Sequence, residues 1–484
     1  MVMIMKRLCI TLLLIAATLI TSCQSNVIPE TDDESTESST KVVTESTVPE
    51  PEKYDFEGKT FTFLDSKWGS YSPLDYIDII TEEQNGEVFN DAVYDRMITM
   101  NDKYNCKVDH YTVSSPADEL TMLGQIVMSG DESYDALFLR GRVFGSAVTN
   151  GYLADLSKVS HIDISKPWWD KNFAETVSIG KALPAIVGYT TTNHMNSVWT
   201  VCFNKKLIDE NKLDDPYELV SSGKWTFDKS IEMSIAIARD LDGNTIMDGN
   251  DLWGINHTND TVIGILNSCG VDIAEVDSAG KISLTIDSSK SVERMTDILT
   301  KLFNEDYAMD TLSRSVMKSV DSDGDYFAEN KVLFLYTATH LVWQLRQMEV
   351  DFGMLPYPKY SENEDYRSST AGIFLSMTAI PASSGNIDLT ARFLELYAYE
   401  GWRLLKPAFY ENILVGKTAR DEESMNTLES IYGNLTYDVG NILNIGSFAS
   451  AIGSMSASLN TNVASFLASE LPSVRNELDK LNNN

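Results

Sequence analysis

The sequence predicts an α/β protein with more than one domain. The chain has 484 residues, of which 43% are hydrophobic, so about two to three domains are expected rather than one ordinary core. Short apolar segments rich in β-branched and aromatic residues alternate with segments whose apolar residues recur at helical spacing. This alternation is typical of helices layered on a parallel sheet.

The first elements follow one another from residue 60 onward. TFTFL at 60–64 predicts a strand that ends in a polar loop at 65–69. Ser115 is the predicted N-cap of a helix, since Ser is favoured at this position and Pro116 is favoured in the first turn that follows. This helix is predicted to end near Gly130. The first part of the folded chain is therefore predicted to contain a strand at 60–64, helices at 88–100 and 116–130, and a buried strand at 134–139.

The same alternation resumes in the second part. A helix whose cap is Asn386 is predicted from the spacing of its apolar residues, and the chain is mostly helical from Gly401 onward. The other predicted elements are strands at 198–203, 332–336, 352–356 and 373–380, and a helix at 227–239. The pattern indicates two α/β units and a helical C-terminal part.

The first 23 residues predict export. Lys6 and Arg7 precede an apolar run at 8–20, which is shorter than the roughly 20 residues that span a bilayer. ITSC at 20–23 resembles the lipobox of bacterial lipoproteins, in which cleavage precedes the Cys and its thiol carries a diacylglycerol. We therefore predict a lipoprotein signal peptide at 1–23, with lipid attachment (palmitate among its acyl chains) at Cys23 on the outer face of the cell membrane. A plain signal peptide or an N-terminal anchor helix is the alternative.

Residues 24–53 are rich in Ser, Thr, Glu and Pro and contain few large apolar side chains. Such a segment cannot bury enough apolar surface to fold, so we predict a disordered tether. The whole chain has a formal net charge of -33, which argues against nucleic acid as a partner because its phosphates would be repelled. Five cysteines show no metal-binding spacing.

One acidic loop has the spacing of a calcium site. Its oxygen-bearing side chains stand at positions 1, 3, 5, 9 and 12, and position 7 would offer its backbone carbonyl, as in EF-hand loops. The predicted ligands of one structural Ca²⁺ are Asp240, Asp242, Asn244, Ile246, Asp248 and Asp251. Thr245 replaces the usual Gly at position 6, and Asp251 replaces the usual Glu. The alternative is a solvated acidic turn.

Several ordered blocks resemble the family 1 extracellular solute-binding proteins of ABC importers, over nearly the whole chain after the tether. The blocks are YDALFL at 134–139 with GYLADL at 151–156, KPWWD at 166–170, FNKKL at 203–207 with KWTF at 224–227, FAENKVLF at 327–334, MLP at 354–356 and IPASS at 380–384. Asn330 stands where the family often has Gly, which leaves the turn there in doubt.

This resemblance implies a two-lobe fold of the periplasmic-binding-protein type, with the ligand in a cleft between hinge-linked lobes. It places lobe 1 at 58–188 plus 355–397 and lobe 2 at 198–350 plus 402–484. The chain would cross between the lobes near 189–197, 351–355 and 398–401.

By position in the family blocks, the resemblance implies a set of residues that face the cleft. Sugars offer hydroxyl groups and flat apolar faces, so polar and aromatic side chains suit such a ligand. The candidate ligand-binding residues are Lys67, Trp68, Arg140, Arg142, Tyr189, Asn193, Asn196, Asn256, His257, Tyr336, Thr337 and Phe448. For each of these residues, a position on the surface or in the core is an equal alternative to ligand binding.

No catalytic motif supports an enzyme, because the sequence lacks the nucleophile-elbow, zinc-protease, P-loop and dinucleotide patterns. The expected function is a monomeric receptor that captures a sugar or oligosaccharide by hinge closure and delivers it to an ABC permease. Two alternatives stay open, namely a surface glycoside hydrolase and a carbohydrate-binding surface protein without a transport role.

Overall fold

The computed structural model describes residues 48–67, 78–310, 325–342, 345, 348–349, 351–414 and 422–483. The predicted signal peptide with Cys23, most of the tether and Trp68 lie outside the described residues. From Glu50 onward the chain forms one compact unit. Among the described residues, no helix combines the length and apolar character needed to cross a membrane.

Thirteen strands occur in the described part of the chain. They are β1 (Thr60–Ser66), β2 (Lys107–Val113), β3 (Ala136–Arg140), β4 (Trp199–Asn204), β5 (Trp253–His257), β6 (Ala274–Val276), β7 (Ile282–Leu284), β8 (Ala308–Asp310), β9 (Val332–Ala338), β10 (Phe352–Leu355), β11 (Ser368–Ser369), β12 (Ser376–Ala379) and β13 (Leu435–Thr436).

Seventeen α-helices occur in the same described ranges. They are α1 (Val88–Tyr104), α2 (Pro116–Ser129), α3 (Gly141–Thr149), α4 (Lys171–Thr176), α5 (Asn193–Asn196), α6 (Lys205–Asn211), α7 (Pro216–Ser221), α8 (Phe227–Ile237), α9 (Thr261–Ser268), α10 (Ser289–Leu302), α11 (Asp325–Ala328), α12 (Thr339–Val342), α13 (Ile387–Leu414), α14 (Glu422–Gly433), α15 (Val439–Ile442), α16 (Phe448–Ala457) and α17 (Val463–Asn483).

The first sheet, called sheet A, has the strand order β12-β3-β1-β2. β1 pairs in parallel with β2 and β3, whereas the edge strand β12 is antiparallel. The parallel strands confirm the α/β prediction. Asp65 and Ser66, predicted to begin a loop, continue β1 because they stay in register with Thr112 and Val113.

Aromatic side chains form the core between sheet A and α13. Phe61 stacks on Phe393 with ring centroids 3.9 Å apart, and Phe63 lies 5.6 Å from the ring of Tyr397. All four side chains are buried, and such aromatic contacts stabilise a core beyond their buried area. The predicted helix after Asn386 is thereby confirmed, and it continues to Leu414.

The second sheet, called sheet B, has the strand order β10-β4-β9-β5-β8. β5 is parallel to β8 and β9, whereas β4 is antiparallel to β9 and β10. Its core is also aromatic. Tyr336 and Tyr357 have ring centroids 5.2 Å apart, and Trp225 lies 5.2 Å from Phe334.

Residues 189–197, the predicted first crossing, lie between the bridge of Ile186 with Thr378 of β12 and the start of β4. The guanidinium of Arg96 donates to the Thr190 carbonyl at 3.0 Å. The Asp78 carboxylate accepts from the Thr191 hydroxyl at 2.6 Å and from the Thr192 amide at 2.7 Å. These bonds hold the start of the crossing against residues of lobe 1.

The other two predicted crossings meet different elements. Residues 398–401 lie inside the continuous helix α13. Residues 356–367, assigned by the resemblance to lobe 1, instead contact lobe 2, since Trp225 Nε1 donates to the Pro356 carbonyl at 2.9 Å and Arg367 pairs with Asp272 at 2.7 Å. The precise lobe boundaries stay a prediction.

Candidate functional site

Charged side chains from both lobes meet at the carboxyl ends of the two sheets. Arg142 lies in the first turn of α3, directly after β3, and Asp260 directly precedes α9. Asp310 ends β8 and pairs in register with His257 at the end of β5. We call Arg142, His257, Asn259, Asp260, Asp310 and Asn444 the interlobe site.

The electrostatics of Asp260 show that these charges are close. Its pKa is raised, chiefly because surrounding protein displaces water, and Asp310 adds to this rise while Arg142 opposes it. Asp260 nevertheless remains exposed to solvent. A carboxyl group whose pKa is shifted by desolvation and by a specific charge partner is a candidate for a functional role.

The C-terminal part completes this site. Asn444 Nδ2 donates to the Arg142 carbonyl at 3.3 Å, which joins the segment after α15 to α3. Ser456 Oγ donates to Asp310 at 3.2 Å. Within the described ranges, the side-chain oxygens of Asn259 and Asn444 are buried without a hydrogen-bond partner. They can accept hydrogen bonds from ligand hydroxyl groups.

Buried charges lie beneath the end of β1. Arg140 is fully buried, and its Nε and Nη2 atoms donate to the Ser66 carbonyl at 3.3 and 3.1 Å. Ser66 Oγ donates to Glu119 at 2.7 Å. Burial raises the pKa of Glu119 to about 8, against the effects of Ser66 and Arg140. Arg140 therefore supports the backbone of β1, and Lys67 follows at an exposed position.

Three of the candidate ligand-binding residues lie in the first predicted crossing and contact neighbouring residues there. Asn193 Oδ1 accepts from the Ser376 amide at 2.6 Å, which ties α5 to β12. Asn196 is buried, and its backbone contacts the ring of His340, whose pKa burial lowers to about 4. Tyr189 is half-buried and lies edge-on to His194 at 5.0 Å. These three residues line the crossing rather than the interlobe site.

The remaining candidates occupy buried positions. Tyr336 donates to Ser230 Oγ at 3.0 Å inside lobe 2. Thr337 Oγ1 is buried without a partner in the described part of the chain, and Asn256 is buried on β5. Phe448 is fully buried and lies 5.4 Å from Phe466. Their proposed contact with ligand stays a prediction.

Sequence reasoning missed Asp260, Asp310, Asn259 and Asn444. Asp260 and Asn259 follow strand β5 directly, and the loop after a strand's carboxyl end is a usual ligand position, so their signal was present. Asp310 ends a strand of three residues, too short to show a period. Asn444 has a left-handed backbone with φ 50, which the sequence does not reveal.

The acidic loop has a geometry that suits a cation. One carboxylate oxygen from each of Asp240, Asp242 and Asp251 lies within 4.8 Å of the others. Thr245, at the position where Gly is usual, adopts φ +67, so the chain makes the required turn despite its side chain. Asn244, Ile246 and Asp248 lie in the same loop. Hard oxygen ligands in this arrangement fit Ca²⁺.

Cavities also lie outside the interlobe site. One of about 930 Å³ is bordered by 148–155, 179–184, 279–281 and 479–483, and it contains none of the predicted ligand residues. Another of about 240 Å³ is lined by Trp169, Tyr189 and Tyr432 beside the first crossing. The convergence of charges, rather than cavity size, therefore selects the interlobe site.

Solved structures share this architecture over most of the chain. An ABC substrate-binding protein from Listeria monocytogenes in complex with cycloalternan has a TM-score of 0.53 and 15% identity, covering 88% of this chain and 98% of its own. A sugar transporter from Rhizobium etli in an open conformation has a TM-score of 0.56 and 15% identity, covering 86% and 99%.

The maltose-maltodextrin binding protein of Alicyclobacillus acidocaldarius has a TM-score of 0.53 and 12% identity, covering 86% of this chain and 100% of its own. The chain has the two-lobe fold of ABC solute-binding proteins. No protein-family model matches the sequence, and no curated protein matches it. The similar structures are of binding proteins, and the fold confirms the two-lobe prediction.

Proposed function

We propose that this protein is an extracellular solute-binding lipoprotein that captures a sugar or oligosaccharide between its lobes and delivers it to an ABC permease. The observation that carries this proposal is the interlobe site, where Asp260 of lobe 2 interacts electrostatically with both Arg142 of lobe 1 and Asp310 of lobe 2. A ligand that bridges these groups stabilises the closed form because it contacts both lobes.

The site's chemistry supports a neutral polar ligand. Sugar hydroxyl groups donate and accept hydrogen bonds, so they can satisfy carboxylates, an Arg and amide oxygens at once. The unpartnered oxygens of Asn259 and Asn444 suit such donors. Similar structures have bound cycloalternan and maltotetraose, which guides the choice of probes.

A panel of monosaccharides and oligosaccharides, including maltotetraose, tests this proposal by calorimetry. We expect stoichiometric binding, and small-angle scattering should show a smaller radius of gyration with the bound sugar. Arg142→Ala should weaken binding about tenfold or more, because it removes a charge-assisted hydrogen bond. The matched control is Arg239→Ala, since Arg239 is exposed and lies outside the site.

Two outcomes contradict the proposal. Hydrolysis of an oligosaccharide during incubation would support the glycoside hydrolase alternative. Sugar binding that leaves the scattering unchanged would support a carbohydrate-binding surface protein without a transport role.

Membrane attachment through Cys23 is part of the proposal, supported by the ITSC segment at 20–23. Growth with an alkyne fatty acid should label the wild-type protein, and Cys23→Ser should abolish the label. Labelling that persists in Cys23→Ser would contradict attachment at this residue.

We also propose that the loop of Asp240, Asp242, Asn244, Ile246, Asp248 and Asp251 holds one structural Ca²⁺. The clustered carboxylates and the left-handed Thr245 support it. The ion would neutralise the loop's mutual repulsion and fix its conformation. Removal of the ion with a chelator tests this site.

A further inference from the structure

Three parts of lobe 2 contact lobe 1 through residues other than those of the interlobe site. The Leu435 carbonyl accepts from Asn172 at 3.1 Å, and the Tyr437 hydroxyl donates to Asp170 at 2.6 Å. The second and third contacts are backbone approaches: the Leu443 carbonyl packs against Gly145, and the Gly280 carbonyl accepts from the Gly180 amide at 3.0 Å.

Both backbone approaches require glycine. A Cβ on Gly145 would lie 2.0 Å from the Leu443 carbonyl oxygen, and one on Gly280 would lie 2.5 Å from the Gly180 amide nitrogen. Neither neighbour is a flexible side chain, so the lobes meet here at the closest distance that backbones allow. The contacts therefore depend on the position of each lobe 2 segment.

Asp438 joins these lobe 2 segments to one another. Its carboxylate accepts from the amides of Ile273 at 2.8 Å and Ala274 at 3.2 Å, at the start of the β6–β7 hairpin, whose turn contains Gly280. It also accepts from the Gly440 amide at 2.9 Å, at the start of α15, which leads to Leu443. Tyr437 is its neighbour in the chain. One buried side chain thus connects all three contacts.

The surroundings of Asp438 are charged on several sides. Asn267 Nδ2 on α9 donates to both Asp438 and Asp272, each at 3.1 Å. Arg367 pairs with Asp272 at 2.7 Å, and Asp170 lies on the far side of Tyr437. Asp438 is buried, so its hydrogen bonds act in a medium where they are strong and costly to lose.

We propose that Asp438 is a positioning residue that fixes the lobe 2 side of these contacts and thereby sets how readily the lobes separate. Its control of ligand affinity rests on the proposed function, whereas its control of the contacts does not. The Asp272–Asn267 arrangement supports this role, because it fixes the orientation of the carboxylate.

Hydrogen exchange resolved at single amides tests the proposal without any sugar. The reporter is the Gly180 amide, which belongs to lobe 1 and is protected by the Gly280 carbonyl. Asp438→Asn places an amide group where a carboxylate oxygen accepts two hydrogen bonds. We expect Gly180 to exchange at least tenfold faster, because the hairpin loses its anchor.

Local and matched controls separate positioning from general destabilisation. The amides of Arg239 and Leu252 bond each other's carbonyls within lobe 2, and their exchange should not change. Asp215→Asn is the matched variant, since Asp215 caps α7 through the Tyr217 amide at 2.8 Å, on an exposed surface. It should leave Gly180 exchange unchanged.

Gly280→Ala breaks the contact directly and should accelerate Gly180 exchange as well. If Asp438→Asn does not fold, Asn267→Ser serves as the test variant. It removes the hydrogen bond that Asn267 donates to Asp438, so it should also accelerate Gly180 exchange, but by a smaller factor. Gly180 exchange that is unchanged in these Asp438 or Asn267 variants, or unaffected by Gly280→Ala, overturns the proposal. Absence of sugar binding would overturn the proposed function alone.

Discussion

Two groups of aspartates in lobe 2 use the same kind of hydrogen bond with opposite consequences. In the exposed loop, Asp240 accepts from the amides of Gly243 and Thr245, both at 2.7 Å, and these donors lower its pKa. In the interior, Asp438 accepts hydrogen bonds from three backbone amides. Its pKa is nevertheless raised to about 7, mainly by burial and to a smaller extent by the nearby Asp272.

The difference shows that access to water decides whether the pKa of a hydrogen-bonded carboxyl group rises or falls. Backbone donors stabilise both carboxylates, but only Asp438 loses the water that would solvate its charge. The exposed loop is therefore suited to exchange its water for a cation, whereas the buried Asp438 is suited to a fixed structural role. Each of the following predictions tests one side of this contrast.

The largest expected effect comes from truncating the buried carboxylate. Asp438→Ala leaves three backbone amides and the Asn267 amide without their acceptor, so we expect the free energy of unfolding to fall by about 4 kcal/mol. Urea unfolding monitored by tryptophan fluorescence measures it. Asp240→Ala in calcium-free buffer should leave the urea midpoint nearly unchanged. Equal losses in the two variants would remove the contrast.

Calcium should act on the exposed loop alone. A cation at about 100 times its dissociation constant adds about 2.7 kcal/mol to the stability of a protein that binds it only when folded. We expect a chelator to lower the melting temperature of the wild-type protein, and Asp240→Ala to abolish the difference. Asp438→Asn should keep it. A wild-type melting temperature that ignores the chelator would exclude the site.

A pH dependence of stability should come from the buried carboxyl group of Asp438. The folded pKa of Asp438, about 7, lies above its ordinary value of 3.8. Its stabilising contribution is therefore fully present below about pH 4 and is lost as the pH rises through 7. Between pH 5 and pH 8 we expect Asp438→Asn to remove a decline on the order of 2 kcal/mol. An identical slope in both proteins would contradict this assignment.

The smallest effect is expected for Asp277, an exposed aspartate in the turn of the β6–β7 hairpin. Asp277 accepts from the amides of Ala279 at 2.8 Å and Lys281 at 3.0 Å, and these donors lower its pKa. Because water can replace the carboxylate there, Asp277→Asn should shift the melting temperature by less than about 1 °C. A shift as large as that of Asp438→Asn would show that burial is not the deciding factor.

Elements with a clear local signal were predicted well. Ser115 caps α2 through the Asp118 amide at 3.2 Å, and Gly130 ends it with φ +68, as the sequence indicates. The parallel core of sheet A follows from alternating strands and helices. β8 has three residues and β13 two, so neither is long enough to display a period.

The candidate site was predicted only in part. Arg142 belongs to the interlobe site together with His257, whereas Tyr336 and Phe448 are buried among core side chains. A family position identifies which loop faces the cleft, but the direction of one side chain depends on packing against other elements. Arg140 illustrates this, because its guanidinium turns toward the Ser66 carbonyl.

The sequence by itself determined the α/β class, the order of the main elements and the oxygen spacing of the acidic loop, since each depends on residues that are neighbours in the chain. Only the tertiary structure decided that Asp260 lies near both Arg142 and Asp310, and that Asp438 is buried beside Asp272. These groups are separated by long stretches of chain, so their charges interact only after folding brings them together and removes the water between them.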